Sequence, residues 1–158
     1  MKYIYVFIFL IIFNYTHANN SVRCDFEEVY QDGSTQFGHL LFNNGLLRYE
    51  YKDKQLFTII YNRNYFIIRN DNQNIVNKLE NDDILNQLKF IITNYPDTKN
   101  FYTSGNIDVN IQNSKEINFL KRVSIKSDKV NLSIHFIDCI FEDISRQYFQ
   151  PLPLKKIK

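Results

Sequence analysis

Residues 45–71, GLLRYEYKDKQLFTIIYNRNYFIIRND, decide the fold of this chain. Residues 46–51 alternate, with Leu47, Tyr49 and Tyr51 on one side and Arg48 and Glu50 on the other, which is the period of a strand with one covered face. Residues 56–61 (LFTIIY) and 65–68 (YFII) follow, and each run is apolar on both sides. These three predicted strands carry more apolar side chains than one covered face requires. The sheet therefore needs cover on its second face, from helices, another sheet or a ligand.

Further strands are predicted on the amino-terminal side of this stretch and directly after it. Residues 24–31 and 36–42 flank an Asp32-Gly33 turn, which is a hairpin signal, and residues 74–79 form a sixth candidate strand. Six short strands joined by tight turns predict an antiparallel meander.

The pattern changes to helical spacing at residues 81–92, and Tyr95-Pro96 ends the helix. The apolar positions at this spacing are Ile84, Leu85, Leu88, Ile91 and Ile92. An amphipathic helix of this kind is expected to lie across one face of the sheet. Later strands are predicted at residues 106–111, 116–126, 129–136 and 139–145, followed by an apolar and proline-containing end that covers a sheet edge. The fold class is α+β.

Residues 1–18 have the anatomy of a secretory signal peptide, with Lys2, an apolar run and a small-residue cleavage site after Ala18. The apolar run is shorter than the roughly 20 residues needed to span a bilayer. We therefore expect an exported protein, with residues 19–158 forming a single domain.

Cys24 and Cys139 are the only cysteines. In an exported protein the two can form a disulfide. The alternative is two buried free thiols, because sequence alone does not place their Cα atoms within bonding distance. Their number and spacing do not suit a zinc site.

No catalytic pattern stands out, and the expectation is that the protein is not an enzyme. His39 and His135 lie within predicted strands, and neighbours such as Glu27 and Glu28 point to opposite faces of a strand, so they cannot form a carboxylate pair. Four glycines leave little room for a phosphate-binding loop. The net charge of +2 gives no electrostatic reason to expect nucleic acid as a partner.

The order of elements resembles the periplasmic lipoprotein carrier family (LolA), of which this chain looks like a divergent, shortened member. The resemblance covers most of residues 19–158 as a loose pattern of apolar and turn positions. It is carried by residues 25–31, Gly38-x-Leu40-x-Phe42, residues 47–51, 59–62 and 65–69, the helix after Asp82, and residues 148–153.

The resemblance implies an unclosed antiparallel β-barrel, a half-barrel meander, with the amphipathic helix as a lid over its concave face. It implies a monomeric carrier that needs no cofactor or metal and shelters the acyl chains of lipoproteins in a hydrophobic cavity. The implied partners are acylated lipoproteins, an inner-membrane ABC lipoprotein-releasing transporter and an outer-membrane lipoprotein acceptor. The implied location is the periplasm.

Two groups of residues follow from this hypothesis. The residues expected to line the lipid-binding cavity are Leu47, Tyr49, Tyr51, Phe57, Ile59, Phe66 and Ile68. Those expected on the lid are Ile84, Leu85, Leu88 and Ile91. For such a lid, Leu88→Asp is expected to weaken lipid binding more than folding. Alternatives are an envelope sensor or glycolipid binder without lipoprotein transfer, and a domain whose helix and sheet form an ordinary filled core.

Overall fold

The computed structural model describes residues 21–79, 83–116 and 119–157. The predicted signal peptide, residues 1–18, lies outside the described residues.

In the part of the chain that the structure describes, ten strands form one sheet in the order β6-β5-β4-β3-β2-β1-β10-β9-β8-β7, and every neighbouring pair is antiparallel. The strands are β1 (Ser21–Tyr30), β2 (Thr35–Asn43), β3 (Leu46–Tyr51), β4 (Phe57–Asn62), β5 (Asn64–Arg69), β6 (Ile75–Leu79), β7 (Phe101–Ser104), β8 (Ile107–Asn113), β9 (Leu120–Lys126) and β10 (Asn131–Phe141). Within the described residues β6 and β7 are the two edges, so the sheet is unclosed. The predicted meander of six strands is confirmed.

One helix, α1 (Asp83–Thr93), lies in the chain between the two edge strands, and a short 3₁₀ helix (Arg146–Phe149) follows β10. No helix in residues 21–79, 83–116 or 119–157 is both long enough and apolar enough to cross a membrane.

One strand prediction is wrong, and one strand is missing from the predictions. Residues 139–145 do not form a separate strand, because β10 continues to Phe141 through a bulge opposite Cys24, where Asp138 adopts a φ of 49°. A bulge adds one residue to a strand without ending its pairing. The four-residue strand β7 was not predicted, since a run this short has too little alternation to be recognised.

The inner face of the sheet carries the main core. Apolar side chains from β1, β2, β3, β8, β9 and β10 pack there against α1, which contributes Leu88, Ile91 and Ile92. The helix therefore covers one face of the sheet, as predicted. Gly38 of β2 lies against this core, and a Cβ atom at this position would overlap the Phe26 ring and the Glu50 carbonyl oxygen. Only glycine fits at this position without movement of the backbone.

The outer face of β2, β3 and β4 is covered by the end of the chain, which we call the C-terminal strap (residues 144–157). Arg48 Nη1 donates to the carbonyl oxygens of Tyr148 at 3.2 Å and Lys155 at 2.7 Å. Phe149 is buried in a second apolar cluster with Leu41. The prediction that this segment covers a sheet edge is wrong. It lies on a face, because the apolar outer side chains of these strands need cover there.

Candidate site between helix and sheet

The predicted cavity residues do not all lie on one face of the sheet. Directly paired residues of neighbouring strands share a face. The inner core includes Leu47, Tyr49, Tyr51 and Ile59. Phe57 lies two residues before Ile59 on β4 and therefore points to the same face, but it is 36% exposed.

Phe66 and Ile68 lie on the outer face, which corrects the prediction that they line the inner cavity. Phe66 pairs with Ile60, Ile68 pairs with Thr58, and the inward Ile59 pairs with Ile67. Strands β4 and β5 are apolar on both sides, so the sequence offered no signal for choosing between their two faces.

The middle of the inner face, the side of the sheet that packs against α1, is occupied by the protein's own aromatic side chains. The Phe26 and Tyr49 rings stack with their centroids 3.9 Å apart, and the Tyr51 ring lies edge-on to Phe26 at 5.7 Å. Leu47 and Tyr49 are almost fully buried. The predicted cavity residues in this region therefore form part of the core and do not line an open trough.

The predicted lid residues all lie on the side of α1 that faces the sheet. Leu85, Leu88 and Ile91 are buried, and Ile84 is half-buried against the core. Ile92 belongs to the same face. The helical spacing therefore identified the packed side of the helix correctly.

An apolar cleft of about 340 Å³ does exist, between the sheet and the end of α1. Its apolar walls are Val22, Phe42, Ile92, Tyr95, Phe119 and Phe141, and its rim includes Asn44 and Thr93. The volume lies in the lower part of the range of small-ligand pockets, about 300–1,000 Å³. We call this the helix-end cleft.

Aromatic rings build much of the cleft wall. Phe119 makes edge-on contacts with Tyr95, at a centroid distance of 5.2 Å, and with Phe141, at 5.7 Å. Val22 and Phe42 are cross-strand partners on β1 and β2. None of the predicted cavity residues lines this cleft. The residues that do line it come from separate segments of the chain, so no local pattern could have grouped them.

A buried carboxylate lies on the same inner face, outside the lining of the cleft. Glu28 is 4% exposed and accepts hydrogen bonds from the hydroxyl groups of Tyr30, Tyr49 (2.7 Å) and Tyr51 (3.0 Å). A buried charge is tolerated when hydrogen bonds replace its water. The sequence indicated that Glu27 and Glu28 face opposite sides, but it gave no sign of this cluster of tyrosines.

Burial and the neighbouring Glu28 carboxylate raise the pKa of Tyr30 to about 12. The same two causes raise the pKa of Tyr49 and of Tyr51. Each phenol therefore keeps its proton in the folded protein at a pH where an ordinary tyrosine, with a pKa of about 10, would ionise.

These pKa shifts predict a loss of stability in alkali. Unfolded tyrosines ionise near pH 10, whereas Tyr30 in the folded protein ionises near pH 12. The stabilisation is complete below about pH 10 and is lost as the pH rises through the folded-state pKa. The urea midpoint is expected to fall over this range, and to fall less for Tyr30→Phe. Equal alkaline losses in the two proteins would contradict the assignment.

Cys24 and Cys139 form a disulfide between the neighbouring strands β1 and β10. The sequence left open whether these cysteines form a disulfide or stay as free thiols, and the structure shows the disulfide. Such a bridge is compatible with an oxidising compartment.

A further polar cluster lies on the outer face of the sheet and joins Asp25, His39 and Lys52. His39 Nδ1 lies 2.6 Å from Asp25 Oδ1, and Lys52 Nζ lies 2.8 Å from Asp25 Oδ2, on the outer face of the sheet. Partial burial raises the pKa of Asp25, but the hydrogen bonds and positive charges of Lys52 and His39 lower it by more. The pKa of Asp25 is therefore below its usual value. Among the described residues, no three His, Cys, Asp or Glu side chains come together as a potential metal site.

Comparison with known proteins gave no family model and no curated protein that matches this chain.

Proposed function

We propose that this protein is a periplasmic carrier that binds acyl chains of lipoproteins and moves them from the inner to the outer membrane. The observation that supports the proposal most directly is the helix-end cleft, whose walls are formed by Val22, Phe42, Ile92 and aromatic rings. An apolar cleft between an amphipathic helix and a half-barrel suits a hydrocarbon chain.

Burial of hydrocarbon supplies the binding energy in this proposal. Each buried CH₂ group contributes roughly 0.8 kcal/mol, so a fully covered chain of about 16 carbons corresponds to about 12 kcal/mol before costs. A carrier has to release its cargo, so a large part of this energy must be offset.

The packing of α1 against the sheet opposes acyl-chain binding and so makes its net free energy less favourable. Leu88 and Ile91 already occupy the concave face, together with the Phe26–Tyr49 stack. An acyl chain that extends beyond the cleft must displace these side chains, which lowers the net affinity. In the proposed cycle the empty protein is closed by its own helix, and the helix moves outward as the chain enters.

The proposed partners follow from this role. They are acylated lipoproteins, an inner-membrane ABC lipoprotein-releasing transporter and an outer-membrane lipoprotein acceptor. Mass spectrometry of protein purified from a periplasmic extract is expected to detect bound acylated peptides. A protein that is always empty, and that does not remove a lipoprotein from membranes, would contradict the carrier role.

A second candidate is an exported domain that binds free lipid without transferring lipoproteins. The filled middle of the concave face favours it, because the helix-end cleft alone then limits the ligand to a single chain. Binding of a fatty acid but not of a triacylated lipopeptide would favour this candidate over the carrier.

Thr93→Trp is expected to block the cleft. Thr93 is exposed at the cleft rim, so an indole at this position can cover the opening without entering the core. We expect the dissociation constant for 11-(dansylamino)undecanoic acid to rise about tenfold or more, which corresponds to about 1.4 kcal/mol. The measurement is a fluorescence titration of the purified protein.

The matched control is Phe90→Trp, which places the same side chain on the exposed side of α1. Phe90 is 51% exposed and does not line the cleft. This variant is expected to bind the probe as the wild type does. Equal losses in the two variants, or no probe binding by the wild type, would contradict a site in the cleft.

A further inference from the structure

A second cavity, of about 310 Å³, lies between the outer face of the sheet and the C-terminal strap. Its lining includes five cationic residues and one carboxylate, Glu50. The cationic residues are Arg48, Lys52, Lys54, Lys155 and Lys156. The whole chain has a net charge of only +2, so this concentration of positive charge is local.

Arg48 is the fixed centre of this cavity. It is 1% exposed, and Nη2 lies 2.5 Å from Glu50 Oε2. Its Nε atom is buried and has no hydrogen-bond acceptor among the described residues. The Arg48 guanidinium therefore interacts with the Glu50 carboxylate and with two backbone carbonyl groups of the strap. A charge buried in protein acts over a greater distance than one in water, because the surrounding dielectric screens it less.

The strap brings two of the lysines to the cavity. Arg48 Nη1 holds the carbonyl oxygen of Lys155 at 2.7 Å, which fixes the backbone of residues 155–156 beside the cavity. The Lys155 ammonium is partly engaged, since it donates to Gln147 Oε1 at 3.1 Å and lies 4.7 Å from the centre of the Tyr148 ring.

Two lysines remain available to a ligand. Lys54 and Lys156 are exposed, and neither makes a hydrogen bond or ion pair with any residue in the described part of the chain. By contrast, Lys52 pairs with Asp25 at 2.8 Å. Two free ammonium groups beside a buried guanidinium form a concave cationic site, in which the walls of the cavity focus the field.

We propose that this strap cavity binds a phosphoryl group, with Lys54 and Lys156 contacting its oxygens. Arg48 acts as a positioning residue, because its hydrogen bonds to the carbonyl oxygens of Tyr148 and Lys155 hold the strap in place. A phosphoryl group carries up to two negative charges and several acceptor oxygens, which suits several lysine donors better than a single carboxylate would. This site is separate from the helix-end cleft and does not depend on the acyl-chain proposal.

The test uses two ligands that carry the same chemistry. Pyrophosphate is titrated into the purified protein by calorimetry, and vesicles of phosphatidylcholine with and without phosphatidic acid are tested by flotation. Lys54→Gln/Lys156→Gln is expected to weaken binding of the phosphoryl ligand about tenfold or more. Both side chains are exposed, so the fold is expected to be unaffected.

The matched control is Lys121→Gln/Lys129→Gln, which removes the same charge from exposed positions on and beside β9 that do not line the cavity. It is expected to bind as the wild type does. Binding of pyrophosphate alone would assign the site to a soluble phosphate ester, and binding only to phosphatidic acid vesicles would assign it to a lipid headgroup. Binding of neither, or an equal loss in both double variants, would overturn the proposal.

Discussion

The free energy of unfolding of the Cys24→Ala/Cys139→Ala variant is expected to be about 4–5 kcal/mol lower than that of the wild type. The bridge joins residues separated by 115 positions. In the chain-entropy model, a loop of this length restricts the unfolded ensemble by about 4.7 kcal/mol. For a domain of this size, such a loss is a large part of the usual total stability of about 5–15 kcal/mol. Urea denaturation monitored by tyrosine fluorescence measures the difference.

A reductant provides the control for this prediction. It should lower the stability of the wild type by a similar amount and leave the double variant unchanged. A difference below about 1 kcal/mol between wild type and variant would contradict the expectation, because the bridge would then hardly restrict the unfolded chain.

Leu88→Asp is expected to abolish the cooperative fold or to lower its stability by at least about 4 kcal/mol. Leu88 is 1% exposed, in the core between α1 and the sheet. Truncation of a buried leucine costs about 2–5 kcal/mol, and an uncompensated carboxylate in its place adds a further cost. Circular dichroism during urea denaturation measures the loss.

Phe90→Asp is the control on the same helix. Phe90 is 51% exposed, so the same carboxylate in solvent is expected to cost less than about 1 kcal/mol. The sequence alone predicted that Leu88→Asp would affect lipid binding more than folding, and the burial of Leu88 reverses that order. A stable Leu88→Asp protein would show that α1 contributes little to the core.

The sequence was most informative where one face of an element is polar. From Leu47 to Tyr51 strand β3 alternates between apolar and charged side chains, so the inward direction of Leu47 and Tyr49 is predictable. Along α1 the helical spacing identified the buried side for the same reason. In β4 and β5 both sides are apolar, and Phe66 and Ile68 were assigned to the wrong face. Burial on the outer side depends on the C-terminal strap, whose position no local pattern encodes.

The candidate sites were less predictable than the fold. Val22, Phe42 and Phe119 meet at the helix-end cleft from segments that are far apart in the chain. In the strap cavity, Arg48 reaches Lys155 across 107 positions. Contacts of this kind follow from the tertiary arrangement of the sheet, and spacing within a short window carries no information about them.

The position of β1 has a consequence for biosynthesis. Strand β1 pairs with β2 on one side and with β10, the last strand among the described residues, on the other. While the chain is being synthesised, one edge of β1 stays unpaired until β10, more than a hundred residues away, has been made. An unpaired strand edge can recruit other chains, and such distant pairing is slow. The nascent chain thus exposes this edge of β1 until β10 has been synthesised, and a holding chaperone would be most useful during that period.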